Sequence, residues 1–173
     1  MSSGKHFHNV LCLSEAKGMD IIMKKYKIGF LCGFFDILHE GHIDILSQAK
    51  EQCEYLIVAV GTDEFMKRRK GRESVMPYTE RVHIMKAIRY VDEVVPENDL
   101  DKIKAYHEYN FDVMFAGADH LNEEIYQLAE KELKHLGVDV IYVPRIIEES
   151  STDLRMRAAK VVRESLHSAK IDF

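Results

Sequence analysis

Short runs of consecutive apolar residues alternate along this chain with longer stretches whose apolar residues recur every three or four positions. The runs at Ile28–Gly33, Tyr55–Val60, Glu93–Val95, Asp112–Ala116 and Val138–Val143 read as strands. Such near-continuous runs suit strands buried on both faces. The periodic stretches His42–Gln52, Thr79–Tyr90, Asp101–Tyr109, Asn122–His135 and Ser150–His167 read as helices. Pro96 and Pro144 are read as strand stops, Gly137 as a helix stop. This alternation predicts an α/β fold: a doubly wound, mostly parallel five-stranded sheet with flanking helices, Rossmann-like. Ligands bind such sheets beyond the carboxyl ends of the strands. The loops 33–42, 61–78, 96–100, 117–121 and 144–151 are therefore where chemistry is expected. Residues 1–24 break the pattern and are expected to form an N-terminal extension, leaving one domain over 25–173.

Composition narrows the class. The chain has 173 residues, 46% hydrophobic and 31% charged, which suits a globular protein. A net charge of −5 argues against binding nucleic acid with the whole surface. No apolar run approaches the roughly 20 residues of a membrane span, and the first residues lack the apolar centre of a signal peptide. Cys12, Cys32 and Cys53 have no paired spacing, so free thiols in a reducing cytoplasm are expected.

The stretch Gly33-Phe34-Phe35-Asp36-Ile37-Leu38-His39-Glu40-Gly41-His42 sits where the first strand turns into the first helix. A helix start offers unpaired N–H groups and a positive dipole end, which favour phosphate. His39 and His42, three residues apart, face the same way in a first turn. Gly41 lets a ligand approach the backbone. Read structurally, the two imidazoles cap the helix; read chemically, they hold a phosphate whose charge grows during reaction. The pattern predicts phosphoryl or nucleotidyl transfer. Lys67-Arg68-Arg69-Lys70-Gly71-Arg72, the most basic run, is a solvated loop or an overhang on that phosphate. Arg81 and Arg89, eight residues apart on one expected helix, share a face and could grip an acceptor phosphate or pair with Asp92 and Glu93. Ser150-Ser151-Thr152 would cap the last helix and could hold further phosphates. The acids Asp36, Asp63, Asp92 and Asp119 near strand ends read as caps or ion-pair partners, and no metal site is expected among them.

Gly33-x-Phe35-Asp36-x-x-His39-x-Gly41-His42 resembles the signature of the cytidylyltransferase family, within the wider HxGH nucleotidyltransferases, and looks most like its glycerol-3-phosphate branch. The likeness continues in order through Val58–Phe65, Arg81, Ile88–Val94, Gly117-x-Asp119, Pro144-Arg145 and Ser150–Thr152. The resemblance implies direct in-line transfer of CMP from CTP to a small phosphorylated alcohol, glycerol 3-phosphate being the best single guess. It implies catalytic roles for His39, His42, Lys70 and Arg89. Lys70 is preferred over its neighbours Lys67 and Arg72. Nucleotide binding would fall to Gly33, Phe34, Phe35, Gly41, Gly117, Asp119, Arg145, Ser150, Ser151 and Thr152. Acceptor binding would fall to Asp63, Lys67 and Arg81. Mg²⁺ would enter mainly on the nucleotide phosphates, and a homodimer is implied. Three departures stand out: Ile146-Ile147-Glu148-Glu149 where similar enzymes carry Thr-Glu-Gly-Ile, Ala118 where Asp is usual, and Phe34 where Thr is usual. The altered loop 145–149 keeps open an ATP-using adenylyltransferase of the same superfamily. A non-catalytic nucleotide-binding module is the third alternative.

Overall fold

A computed structural model describes residues 24–144, 146 and 150–168. The extension expected over 1–24, Lys24 apart, and the nucleotide contact expected of Arg145 lie outside the described residues. The elements follow in the order β1 (Tyr26–Gly33), α1 (Glu40–Gln52), β2 (Cys53–Gly61), α2 (Asp63–Lys70), α3 (Tyr78–Lys86), β3 (Glu93–Glu97), α4 (Lys102–Tyr109) and β4 (Val113–Gly117). A single 3₁₀ turn, Ala118–His120, then leads to α5 (Glu124–His135), β5 (Asp139–Val143) and α6 (Ser151–Ser168).

The five strands form one wholly parallel sheet in the order β3-β2-β1-β4-β5. Alternate side chains of the inner strands feed two cores. Leu31, Leu56, Val58, Val60, Val113 and Phe115 face α1 and α3, meeting Leu46, Ala49 and Met85. Phe30, Ile57, Ala59, Met114 and Ala116 face the other way, towards Tyr126 and Leu133 of α5 and Ile103 and Tyr106 of α4. Burying each such Leu, Val or Phe contributes about 1.5–3 kcal/mol. Truncating the wholly buried Phe115 to Ala would cost about 3–5 kcal/mol, because its close-packed surroundings relax only in part.

Two expectations need correction. Pro96 does not end β3: the strand runs on to Glu97, with Pro96 opposite Val60. β3 is an edge strand, where a residue without an N–H leaves no ladder donor missing. The stretch 61–78 is not a plain loop, because α2 occupies Asp63–Lys70. Thr62 caps it by accepting from the Phe65 N–H, and Gly71 closes it at φ +65°, its N–H donating to the Lys67 carbonyl. The chain reverses direction across the sheet between β1, from which β2 and β3 spread one way, and β4, from which β5 spreads the other. That switch point opens a crevice at the strands' carboxyl ends.

Candidate active site

The crevice is built around the connection from β1 to α1. Phe35 (φ +51°) and Ile37 (φ +59°) both take the left-handed backbone region, which is unusual for an aromatic residue and more so for a β-branched one. Each costs about 1–3 kcal/mol. Between them the Asp36 side chain is turned inward and is only 3% exposed. Its carboxylate accepts from the Val75 N–H (2.8 Å), the Met76 N–H (3.1 Å), Arg72 Nη1 (2.9 Å) and Arg155 Nη1 (3.0 Å). Burial alone would push this carboxyl up; the Met76 N–H, the Arg72 guanidinium and the Val75 N–H outweigh it and hold the group below the usual carboxylate range. These bonds offset the backbone strain and plant two arginines beside the strand end.

Two residues further on, His39 is the N-cap of α1 and His42 its third residue. Nδ1 of His39 accepts from the Gly41 N–H at 3.2 Å, and Nδ1 of His42 accepts from the His39 N–H at 3.4 Å. The ring centroids are 3.9 Å apart. Capping and chemistry therefore coincide: an Nδ1 that accepts leaves the neutral ring's proton on Nε2. Both rings are set to donate from Nε2, the polarity a phosphate oxygen requires.

A cavity of about 410 Å³ opens above these rings. Its cationic side holds His39, His42, Lys70 and Arg69 from the last turn of α2, Arg72 just beyond it, and Arg155 one turn into α6. Ser150, Ser151 and Thr152 line the same side at the start of α6. The Ser151 hydroxyl donates to the Ile37 carbonyl at 3.5 Å, and Arg155 Nη2 donates to Thr152 Oγ1 at 3.1 Å, joining α6 to the β1–α1 connection. Several cations and two helix starts converge on one space, which suits a polyanion.

The facing wall is different. Gly117, Asp119, His120 and Glu123 follow β4; Tyr126 of α5, Cys32 of β1, Glu97 of β3 and Leu100 complete it. Behind it, Lys102 donates to Glu97 Oε1 at 2.5 Å, and both side chains are buried. Burial and the Glu97 carboxylate push the Cys32 thiol up to about 12, which favours the neutral thiol. Arg69 Nη2 reaches Glu123 Oε2 at 3.6 Å, linking the two walls. Near the rim, the Phe34 ring lies over Gly61 and beside Phe65, with centroids 5.1 Å apart.

Of the residues singled out from sequence, the cavity brings together Gly33, Phe34, Phe35, His39, Gly41, His42, Lys70, Gly117, Asp119, Ser150, Ser151 and Thr152. It does not include Arg81, Asp63, Lys67 or Arg89. Arg81 is only 2% exposed and donates to the carbonyls of Met76 (2.9 Å), Phe34 (2.7 Å) and Gly61 (2.6 Å) and to Asp63 Oδ1 (2.5 Å). With its donors spent inward, it binds the scaffold and not an acceptor. Asp63 is committed likewise, to Arg81, the Ser74 hydroxyl and the Tyr78 N–H. Lys67 pairs with Glu73 in solvent. Arg89 does not share a helix with Arg81, because α3 ends at Lys86. It donates to the Tyr90 hydroxyl near Asp92, which bonds the start of β2 at Leu56, so it lies at the amino end of the sheet, opposite the cavity. Sequence reasoning did not single out Arg69, Arg155, Glu97, His120 or Glu123 for the site. Arg155 had a signal: four residues after Ser151 on a helix, it faces the same way. Arg69 lies in the basic run 67–72, and Glu97 and His120 fall in the stretches 96–100 and 117–121 that follow strands; Glu123 reaches the cavity through tertiary packing.

Comparison with known proteins agrees with this geometry. Residues 30–164 match the family described as cytidylyltransferase-like. The chain is 39% identical over 137 residues to an FAD synthase of Pyrococcus abyssi, covering 76% of this chain and 86% of that protein. It is 36% identical over 128 residues to a glycerol-3-phosphate cytidylyltransferase of Bacillus subtilis, covering 73% and 93%. The crystal structure of a lipopolysaccharide core biosynthesis protein from Thermoplasma volcanium superposes with a TM-score of 0.59 at 25% identity, covering 72% of this chain and 99% of that one.

Proposed function

Because this chain belongs to the cytidylyltransferase-like family, and is with it a nucleotidyltransferase, we propose that it transfers CMP from CTP to a small phosphorylated alcohol, glycerol 3-phosphate being the first candidate. The observation that carries this reading is the pair of rings above the β1–α1 turn, each accepting a backbone N–H at Nδ1, so that the neutral ring's proton lies on Nε2, and both lining one cationic cavity. An acceptor phosphate oxygen attacks the α-phosphorus in line. The bond from that phosphorus to the β-bridging oxygen breaks, and pyrophosphate leaves with the electron pair. His39 and His42 donate to the α-phosphate as its charge grows, Lys70 bridges the α-phosphate and the incoming one, and Arg72, Arg155 and Ser150–Thr152 hold the β- and γ-phosphates. Arg145 joins the nucleotide site by resemblance. Catalysis of this kind needs positioning and charge, not a covalent intermediate. Among the described residues, no group of three His, Cys, Asp or Glu side chains is gathered to hold a metal ion. Mg²⁺ enters this reading on the triphosphate, because it readily keeps phosphate and water ligands. A homodimer working on soluble substrates in the cytoplasm completes it.

A second reading, adenylyl transfer from ATP, is favoured by the likeness to FAD synthases. Thermal protection by each of the four nucleoside triphosphates separates the two: protection by CTP supports the first, and protection by ATP alone transfers the proposal to the second. Replacing His39 or His42 by Asn should leave the melting temperature nearly unchanged and lower kcat about 10²–10³-fold, read as pyrophosphate release. Full turnover by either variant refutes the assignment of the rings.

A further inference from the structure

The wall facing the phosphate side carries a third histidine with the opposite polarity. His120 Nδ1 lies 2.8 Å from Glu123 Oε1. A carboxylate only accepts, so Nδ1 carries the proton and Nε2 of the neutral ring presents a lone pair. The ring is held twice over, because it also stacks on Tyr126 with centroids 4.4 Å apart and planes 15° from parallel. Its Cδ2 edge, next to Nε2, is turned towards Gly117 at the end of β4. Gly117, His120, Glu123 and Tyr126 all line the cavity. The second Glu123 oxygen faces Arg69 at 3.6 Å, so the carboxylate's charge is balanced. His39 and His42 offer donors, and His120 offers an acceptor.

Resting on the proposed transfer to a phosphorylated alcohol, we propose that His120 reads the acceptor: its Nε2 accepts a hydrogen bond from an acceptor hydroxyl, and Glu123 is the positioning residue that fixes the tautomer. The acceptor class is then a phosphorylated polyol. A quaternary ammonium head group has no proton to give Nε2, so it would leave that lone pair unmatched. The wall is therefore selective by hydrogen-bond direction, not by size.

The test uses the full chain, CTP, and two probes, glycerol 3-phosphate and choline phosphate, with pyrophosphate release as the readout. The wild type should prefer glycerol 3-phosphate. His120→Phe, which keeps the stack on Tyr126, should lower kcat/KM for glycerol 3-phosphate about 10- to 100-fold, chiefly through the acceptor KM, with the CTP KM unchanged. Glu123→Gln, whose amide can donate to Nδ1 and reverse the tautomer, should move the same acceptor KM and not the CTP KM. Unchanged acceptor kinetics in both variants, or a wild type that prefers choline phosphate, overturns the inference while leaving nucleotidyl transfer intact. Loss of CTP protection in both variants also overturns it, since the wall would then be structural. A wild type that no nucleoside triphosphate protects brings down the parent reading along with it.

Discussion

At the scale of single residues, the molecule separates two arginines that look alike in the sequence. Arg155 reaches the cavity, while Arg81 ties the β1–α1 connection, the end of β2, the start of α2 and the segment before α3 to one guanidinium. Replacing Arg81 by Met would strand three carbonyls and one face of Asp63 around an apolar chain. The expected loss is about 3 kcal/mol or more. A scanning calorimeter would show it as a melting temperature roughly 6–12 °C lower. Little loss would mean that water replaces the guanidinium. From its spacing to Arg89, Arg81 reads as a grip for an acceptor phosphate or as a partner of Asp92 and Glu93. The four groups that draw it inward come from positions 34, 61, 63 and 76, which no local pattern links. Asp36 was legible only as a cap or ion-pair acid for the same reason: Arg155, one of its partners, lies 119 positions away.

At the scale of elements, the sheet was readable and α2 was not. Each inner strand is buried on both faces and so prints an unbroken apolar run. α2 carries Phe65 and Met66 as its only buried residues among charges, so the helical period is faint. Its two ends were nevertheless marked, by Thr62 as a side-chain cap and Gly71 as a left-handed stop. The stop offers a clean experiment, because a Cβ at Gly71 would meet nothing within 4 Å. The cost of Gly71→Ala is thus backbone strain alone, about 1 kcal/mol. A fall of roughly 2–4 °C in melting temperature is expected, with Gly71→Asn recovering part of it. Because Lys70 is the last residue of this helix, the Ala variant should also raise the KM for nucleotide. An unchanged KM would detach Lys70 from the phosphates.

At the scale of the whole molecule, four carboxyls among the described residues are held below their ordinary range. For Asp36 and Asp63 burial acts upward and is outweighed, by the Met76 N–H and Arg72 in one case and by Ser74, the Tyr78 N–H and Arg81 in the other. For Asp99 the leading cause is Lys104, and for Asp139 the Tyr26 hydroxyl. A depressed folded value means that the unfolded chain binds more protons as acid is added. The stability these groups supply is complete above the unfolded carboxylate value, near pH 4, and is lost as pH falls through the lower folded values. Urea midpoints should be flat from pH 7 to about 5 and drop steeply below 4. Asp36→Asn should start lower at pH 7 and drop less. An equally steep acid limb in that variant would remove Asp36 from the account.

The Phe34 ring occupies the space in which any side chain at position 61 would begin, for a Cβ there would overlap the ring. Positions 34 and 61 are consequently free to drift only as a couple. Trading Phe34 for threonine would vacate the room that a serine or alanine at 61 needs, whereas adding that serine first would force the ring off the strand end. Among descendants of this chain, the order of those two exchanges is dictated by steric exclusion, with the smaller residue at 34 arriving first.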